Sequence, residues 1–149
     1  MKTKPWSQVA LALTCILLLL PVPALASTSE PLEIVADLGM NPDGSVRGTF
    51  TATSDLFTDS GEASETFFIA DDTTHGVKTL VGAHGTITIK FQAQLTWFSQ
   101  FTGEANGRFV IVSGTGAYQK LHGVGTSFAT IDLSTGHIYA RYTGAAHFD

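Results

Sequence analysis

The chain has 149 residues and a formal net charge of −5 at pH 7, and only 14% of its residues are charged. This length suits one domain of ordinary size. The acidic balance argues against nucleic acids and anionic membrane surfaces as partners, because both select basic faces. The scarcity of charge would fit a surface that is partly covered in a homo-oligomer.

Residues 1–26 have the pattern of a secretory signal peptide. Lys2 and Lys4 precede an apolar run from Val9 to Leu20, and prolines then lead to the A-x-A cleavage site Ala24–Ala26. Cleavage after Ala26 would release a single domain, residues 27–149, that is secreted or periplasmic and has no stable membrane insertion. An uncleaved signal anchor is the alternative, but the apolar run is short for a membrane span.

The mature domain would contain no cysteine, because Cys15 lies in the predicted signal peptide. Its fold would therefore depend on a hydrophobic core without disulfides, and it could not use thiol chemistry. Loss of Lys2 and Lys4 would also make its net charge about −7. The sequence has neither a G-x-S-x-G nor an H-E-x-x-H motif, so hydrolysis by these mechanisms is not expected.

Apolar and polar residues of the domain alternate with period two, which is typical of strands rather than of amphipathic helices. The alternation predicts strands at Leu32–Leu38, Val46–Thr53, Ala63–Ala70, Val77–Val81, Thr86–Trp97, Arg108–Ser113, Val124–Asp132 and His137–Phe148. Polar composition predicts loops at Ser54–Glu62, Asp71–Gly76 and Ser99–Asn106. The predicted fold is all-β, an antiparallel closed barrel of about eight strands with mostly up-and-down connections, because closure removes exposed strand edges.

The segment Gly107–Gly125, G-R-F-V-I-V-S-G-T-G-A-Y-Q-K-L-H-G-V-G, is the most distinctive in the chain. Its glycines could suggest a phosphate loop at Gly114–Gly116, but the Gly-Lys-Ser/Thr of such loops is missing and no βαβ unit surrounds it. We therefore predict a bend, a short turn at Ala117–Leu121 and a following strand. The residues assigned to this structural turn are Gly114, Gly116, Tyr118, Gly123 and Gly125.

The run F-V-I-V-S-G-T-G-A-Y-x-x-L-x-G-x-G in this segment resembles the G-T-G-x-Y-x-G-L-x-G-x-G pattern of the allene oxide cyclase-like barrels. That family includes plant allene oxide cyclases, dirigent proteins and small bacterial barrels of unknown function. The closing hairpin with Tyr139 and Tyr142 also fits, whereas Lys120 stands where the pattern often has a glycine. The resemblance implies a barrel and, as one activity of the family, cofactor-free cyclase or isomerase chemistry. No catalytic residue of the plant enzymes matches a position here.

Glu65 is the candidate catalytic residue, because it shares strand parity with Ala63, Phe67 and Ile69. If that face points into the barrel, burial would raise the pKa of Glu65 and suit it to general acid–base catalysis or to anchoring a polar ligand group. If Phe68 points inward instead, Glu65 lies in solvent.

The aromatic residues predicted to form the core or a ligand pocket are Phe50, Phe67, Phe91, Trp97, Phe109 and Tyr142. The interior of an eight-stranded barrel either fills with side chains or holds one small ligand. We expect a secreted barrel that binds a small hydrophobic molecule. A more specific form of this hypothesis is a cofactor-free cyclase or isomerase. The alternative is a non-catalytic binding or structural barrel that self-associates.

No cofactor or metal site is expected. The histidines show no tight ligand spacing, so we place them in turns or on the surface: His75, His84, His122, His137 and His147. Tyr139 and Arg141 share one face of the last strand, where they could grip a carboxylate if that face lined a cavity. An outward, hydrated Arg141 is the favoured interpretation.

Overall fold

Short turns join the alternating segments of the chain. A computed structural model describes residues 28–149, so the predicted signal peptide, residues 1–26, lies outside the described part. The strands are β1 Glu30–Met40, β2 Val46–Ser54, β3 Thr58–Ala70, β4 Thr73–Gly82, β5 Thr86–Trp97, β6 Thr102–Gly114, β7 Leu121–Asp132 and β8 His137–Phe148. One 3₁₀ helix, Gly116–Tyr118, lies between β6 and β7. Within residues 28–149, no helix has the length and apolar character needed to cross a membrane.

Each strand pairs antiparallel with the next, and β1 pairs with β8 to close the barrel. At the closure, Leu32 lies opposite Gly144 and Leu38 lies opposite Ile138. Closure gives the outermost strands of the sheet backbone partners that an open sheet would lack. The predicted all-β, eight-stranded, antiparallel, up-and-down closed barrel is therefore confirmed.

The three loops predicted from polar composition are wrong in part, because strands extend into them. Thr58–Glu62 belongs to β3, Thr73–Gly76 to β4 and Thr102–Asn106 to β6. Polar residues are tolerated in these segments because neighbouring strands pair with their backbone and one face of each strand meets solvent. The second loop is reduced to the turn Asp71-Asp72, whose φ angles of 49° and 60° are those of a type I′ hairpin.

The two ends of the barrel differ in their packing. The turns of β1–β2, β3–β4, β5–β6 and β7–β8 lie at one end, here called the hairpin end. At the other end, here called the packed end, the ring of Phe57 lies 5.0 Å from that of Tyr118 and 6.3 Å from that of Phe148. Large aliphatic side chains fill the interior behind these rings, among them Leu32, Ile34, Leu80, Ile87 and Ile89.

Candidate functional site

The hairpin end of the barrel holds a cavity of about 280 Å³. Ile69, Trp97 and Leu133 line it and are also between 40% and 52% exposed, so they form an apolar mouth. Ser127 and Glu65 are among its few polar lining residues. The volume lies close to the lower end of the range for small-molecule sites, roughly 300 Å³.

Small side chains at inward positions create this space. Ala105 on β6 lies opposite Ala129 on β7, which in turn lies opposite Ala140 on β8, and all three line the cavity. On β5, Ala93 continues the small lining next to these strands. Because strand alternation sends all four methyl groups inward, these positions fill less of the interior than larger side chains would.

Glu65 faces the interior and forms an ion pair with Lys78, a residue that no sequence pattern indicated. Lys78 Nζ lies 2.7 Å from Glu65 Oε2, and the two side chains are 0% and 8% exposed. The residues face each other directly across β3 and β4. Phe68 points outward instead and stacks on His75, with 5.1 Å between the ring centroids. The inward orientation considered for Glu65 is therefore the one observed.

The buried ion pair affects the ionisation of its neighbours. Burial, partly opposed by the charge of Glu65, lowers the pKa of Lys78. Lys78 Nζ also lies 5.1 Å from the centroid of the Tyr142 ring, a cation–π distance. Burial and the negative charge of Glu65 hold the pKa of Tyr142 well above its usual value. Glu65, Lys78 and Tyr142 therefore form one electrostatic cluster at the inner end of the cavity.

Two buried polar atoms near the cavity have no hydrogen-bond partner among the described residues. These are Lys78 Nζ, whose close approach to Glu65 does not meet the geometry of a hydrogen bond, and Ser127 Oγ. Ser127 lies opposite Tyr142 on the neighbouring strand and lines the cavity. Lys78 Nζ and Ser127 Oγ can therefore each form a further hydrogen bond, and both lie near an apolar cavity.

The aromatic residues predicted for a ligand pocket divide into two groups. Phe67, Phe91, Trp97 and Tyr142 line the cavity. Phe50 and Phe109 are buried in the core and do not line it, although the ring of Phe109 lies 5.3 Å from that of Tyr142.

The glycine-rich segment lies away from the cavity and shapes the packed end. Gly116 has a φ of +60°, and a Cβ on it would collide with the carbonyl oxygen of His84. Gly114 also lies against another backbone, that of Tyr118. Gly123 and Gly125 follow the turn and lie inside β7, where Gly125 lets the strand approach the backbone of Thr143.

Tyr118 from the same segment binds Asp59, which lies in a region predicted as a loop. The Tyr118 hydroxyl donates to Asp59 Oδ2 at 2.6 Å, and the amides of Ala83 and His84 donate to the same carboxylate at 3.0 and 3.3 Å. Burial opposes ionisation of Asp59, but these hydrogen bonds and one from Ser60 outweigh it and lower its pKa to about 2. Burial and the bond to Asp59 raise the pKa of Tyr118. This cluster joins the start of β3 to the β4–β5 and β6–β7 connections at the packed end and lies outside the cavity lining.

The remaining predicted polar residues lie on the outside. Arg141 Nε lies 3.3 Å from Glu33 Oε1, and both side chains are about half exposed, so the outward interpretation of Arg141 is the one observed. The rings of His122 and His147 stack 5.3 Å apart beside Asp149. In residues 28–149, no group of three or more His, Cys, Asp or Glu side chains could hold a metal ion.

No protein-family model matches the chain, and no curated protein or solved structure shows significant similarity to it. The resemblance to allene oxide cyclase-like barrels therefore stays a prediction from the Gly107–Gly125 segment.

Proposed function

We propose that the barrel binds a small hydrophobic molecule in the cavity at its hairpin end. The cavity itself carries this proposal: about 280 Å³ of space, walled mainly by apolar side chains and opening between exposed apolar residues. A ligand entering there would remove both its own surface and that of the mouth from water, which is favourable by roughly 25 cal/mol per Å² of apolar area.

A blocking substitution tests the proposal. Ala129→Phe places a ring where the small-residue wall creates the cavity, whereas Thr130→Phe adds the same ring to the outer face of β7. The neutral fluorophore N-phenyl-1-naphthylamine should bind the wild type and Thr130→Phe with similar affinity and bind Ala129→Phe at least about tenfold more weakly. Equal binding to all three proteins would place the probe outside the cavity and overturn the proposal.

A cofactor-free cyclase or isomerase is the catalytic form of this proposal. The walls would hold a flexible substrate in one reactive conformation, and Glu65 would be the ionisable group facing it. The position of Glu65 in the cavity lining supports this role. Under this proposal, Glu65→Gln abolishes turnover while binding persists in the folded fraction, and a variant that turns over normally excludes Glu65 as the catalytic group.

Export is proposed together with this function. Cleavage after Ala26 would yield a secreted or periplasmic barrel that meets its ligand outside the cytoplasm. N-terminal sequencing of the exported protein should begin at Ser27, and an intact N-terminus in the membrane fraction would favour the signal anchor.

Self-association is a second candidate function, which an outer patch of valines favours. Val110, Val112 and Val124 are between 40% and 60% exposed, and Val110 lies opposite Val124 on the outer face of β6 and β7. A second copy of this chain would cover such a patch, in keeping with the low content of charge. The measurement that decides this is the mass of the purified domain in solution.

A further inference from the structure

Unused polar groups at the inner end of the cavity limit the ligands that suit it. Ser127 is 8% exposed, and its hydroxyl has no partner among the described residues although it lines the cavity. A buried hydroxyl without a partner keeps its desolvation penalty. A ligand oxygen that accepts from Ser127 would offset this penalty, whereas a pure hydrocarbon would leave it in place.

The charges at the same end argue against a ligand with an ionised head group. Glu65 lines the cavity, whereas Lys78 is wholly buried and does not line it. A carboxylate entering the cavity would therefore meet the carboxylate of Glu65 before it met the ammonium of Lys78. A ligand ammonium would meet a Glu65 whose charge Lys78 already balances at 2.7 Å. Either ion would lose hydration without gaining a free counter-charge.

We infer that the ligand is a neutral alcohol: a hydrophobic molecule whose hydroxyl group lies at the inner end of the cavity, beside Glu65 and Ser127. This inference rests on the proposed function, since it assigns a chemical class to the ligand of that cavity. The ligand hydroxyl donates to the Glu65 carboxylate and accepts from the Ser127 hydroxyl, while the hydrocarbon part lies against the alanine wall and the aromatic side chains. An alcohol is suited to this site because its oxygen both donates and accepts.

Three compounds with the same eight-carbon chain test the inference: 1-octanol, octanoate and 1-methoxyoctane. Their affinities are measured at pH 7 by displacement of N-phenyl-1-naphthylamine. We expect 1-octanol to bind at least about tenfold more tightly than octanoate, because the acid faces Glu65 with like charge. The ether should bind between the two, because it can accept from Ser127 but cannot donate to Glu65.

Ser127→Ala provides the matched variant, because it removes a hydroxyl that has no partner and so leaves no protein group unpaired. The affinity for 1-octanol, corrected for any change in the affinity for the probe, should fall about threefold to tenfold, the usual effect of one hydrogen bond. Thr130→Ala, which removes an outward hydroxyl from the same strand, should change neither the affinity for 1-octanol nor that for the probe.

The outcomes separate this inference from the proposed function. Octanoate binding as tightly as 1-octanol, or an unchanged affinity for 1-octanol in Ser127→Ala, would overturn the alcohol assignment. If the probe still bound and Ala129→Phe still blocked it, the hydrophobic-ligand proposal would stand. Failure of the probe and of all three compounds to bind the wild type would overturn both.

Discussion

Glu65 on β3 and Lys78 on β4 are directly opposed in the barrel wall, and their side chains meet inside the barrel with 2.7 Å between Oε2 and Nζ. Removing two charges from water is costly, and their mutual attraction repays the cost only while both are present. The pair is therefore interdependent. The pair also places two charged groups beside a cavity that is lined mainly by apolar side chains.

Replacing one partner of this ion pair should lower the free energy of unfolding much more than replacing both partners. Lys78→Met leaves the Glu65 charge without its partner, so we expect the free energy of unfolding to fall by about 3–5 kcal/mol. The double variant Glu65→Gln/Lys78→Met should recover most of this loss, because neither side chain then carries a buried charge. Urea denaturation of both variants measures the difference.

The exposed pair of Glu33 and Arg141 provides the control. Its Nε–Oε1 distance is 3.3 Å, but both side chains are about half exposed and water screens their charges. Arg141→Met should therefore have a far smaller effect than Lys78→Met. Similar losses in the two single variants, or a double variant no more stable than Lys78→Met, would contradict the interdependence of Glu65 and Lys78.

The sequence predicted the inward face of the barrel better than it predicted the cavity. Thr86–Trp97 alternates strictly, and the predicted β5 has the observed bounds, with Phe91 and Trp97 in the cavity lining. Lys78 was missed because it lies in a short stretch whose pairing depends on the turn Asp71-Asp72. Once that turn is taken as a two-residue hairpin, Glu65 and Lys78 fall opposite each other.

The position of the cavity depends on which residues of neighbouring strands lie opposite each other. The alternation of apolar and polar residues along one strand carries no information about this register. Ala105, Ala129 and Ala140 look unremarkable in three separate segments, and only pairing brings their methyl groups together. Phe50 also points into the barrel, as the pocket residues do, but it does not line the cavity. Parity predicts which face is buried, whereas the sizes of side chains on neighbouring strands determine where space remains.

Low pH should destabilise the packed end of the barrel, because protonation removes the charge of Asp59. The pKa of Asp59 is lowered from 3.8 to about 2 in the folded protein, so its ionised form stabilises the fold above about pH 4, and this contribution is lost as the pH falls through 2. Tyr118→Phe removes the donor at 2.6 Å and should cost about 1.5–3 kcal/mol at pH 7. The difference from the wild type should shrink between pH 4 and pH 2, as measured by urea denaturation.

Tyr139→Phe is the matched control for this experiment, since Tyr139 lies on β8 and is partly exposed. It should have little effect and no pH dependence in this range. A loss in Tyr118→Phe that stayed constant from pH 7 to pH 2 would show that the hydroxyl acts through packing rather than through the charge of Asp59.

Gly116 should be more sensitive to substitution than Gly44, although both have positive φ angles, +60° and +82°. An added Cβ at Gly44 meets nothing within 4 Å, so Gly44→Ala should cost only the left-handed backbone penalty, about 1–2 kcal/mol. Gly116→Ala adds a collision with the carbonyl oxygen of His84 and should lower the melting temperature further. Probe affinity of the folded fraction should not change, because Gly116 lies at the packed end. Equal destabilisation, or lost binding with normal melting, would contradict the structural role of Gly116.

A charge within the outer valine patch should disrupt self-association without disturbing the barrel interior. Val124 is 60% exposed and lies opposite Val110, so Val124→Lys places an ammonium group where a second copy would exclude water. We expect the wild-type domain to form oligomers whose fraction rises with concentration and Val124→Lys to remain monomeric, as measured by sedimentation velocity. Thr126→Lys adds the same charge to the next outward position of β7 without removing an apolar side chain, and should weaken association less. A wild type that stays monomeric at every concentration would leave the valine patch without a role in self-association and favour the hydrophobic-ligand proposal alone.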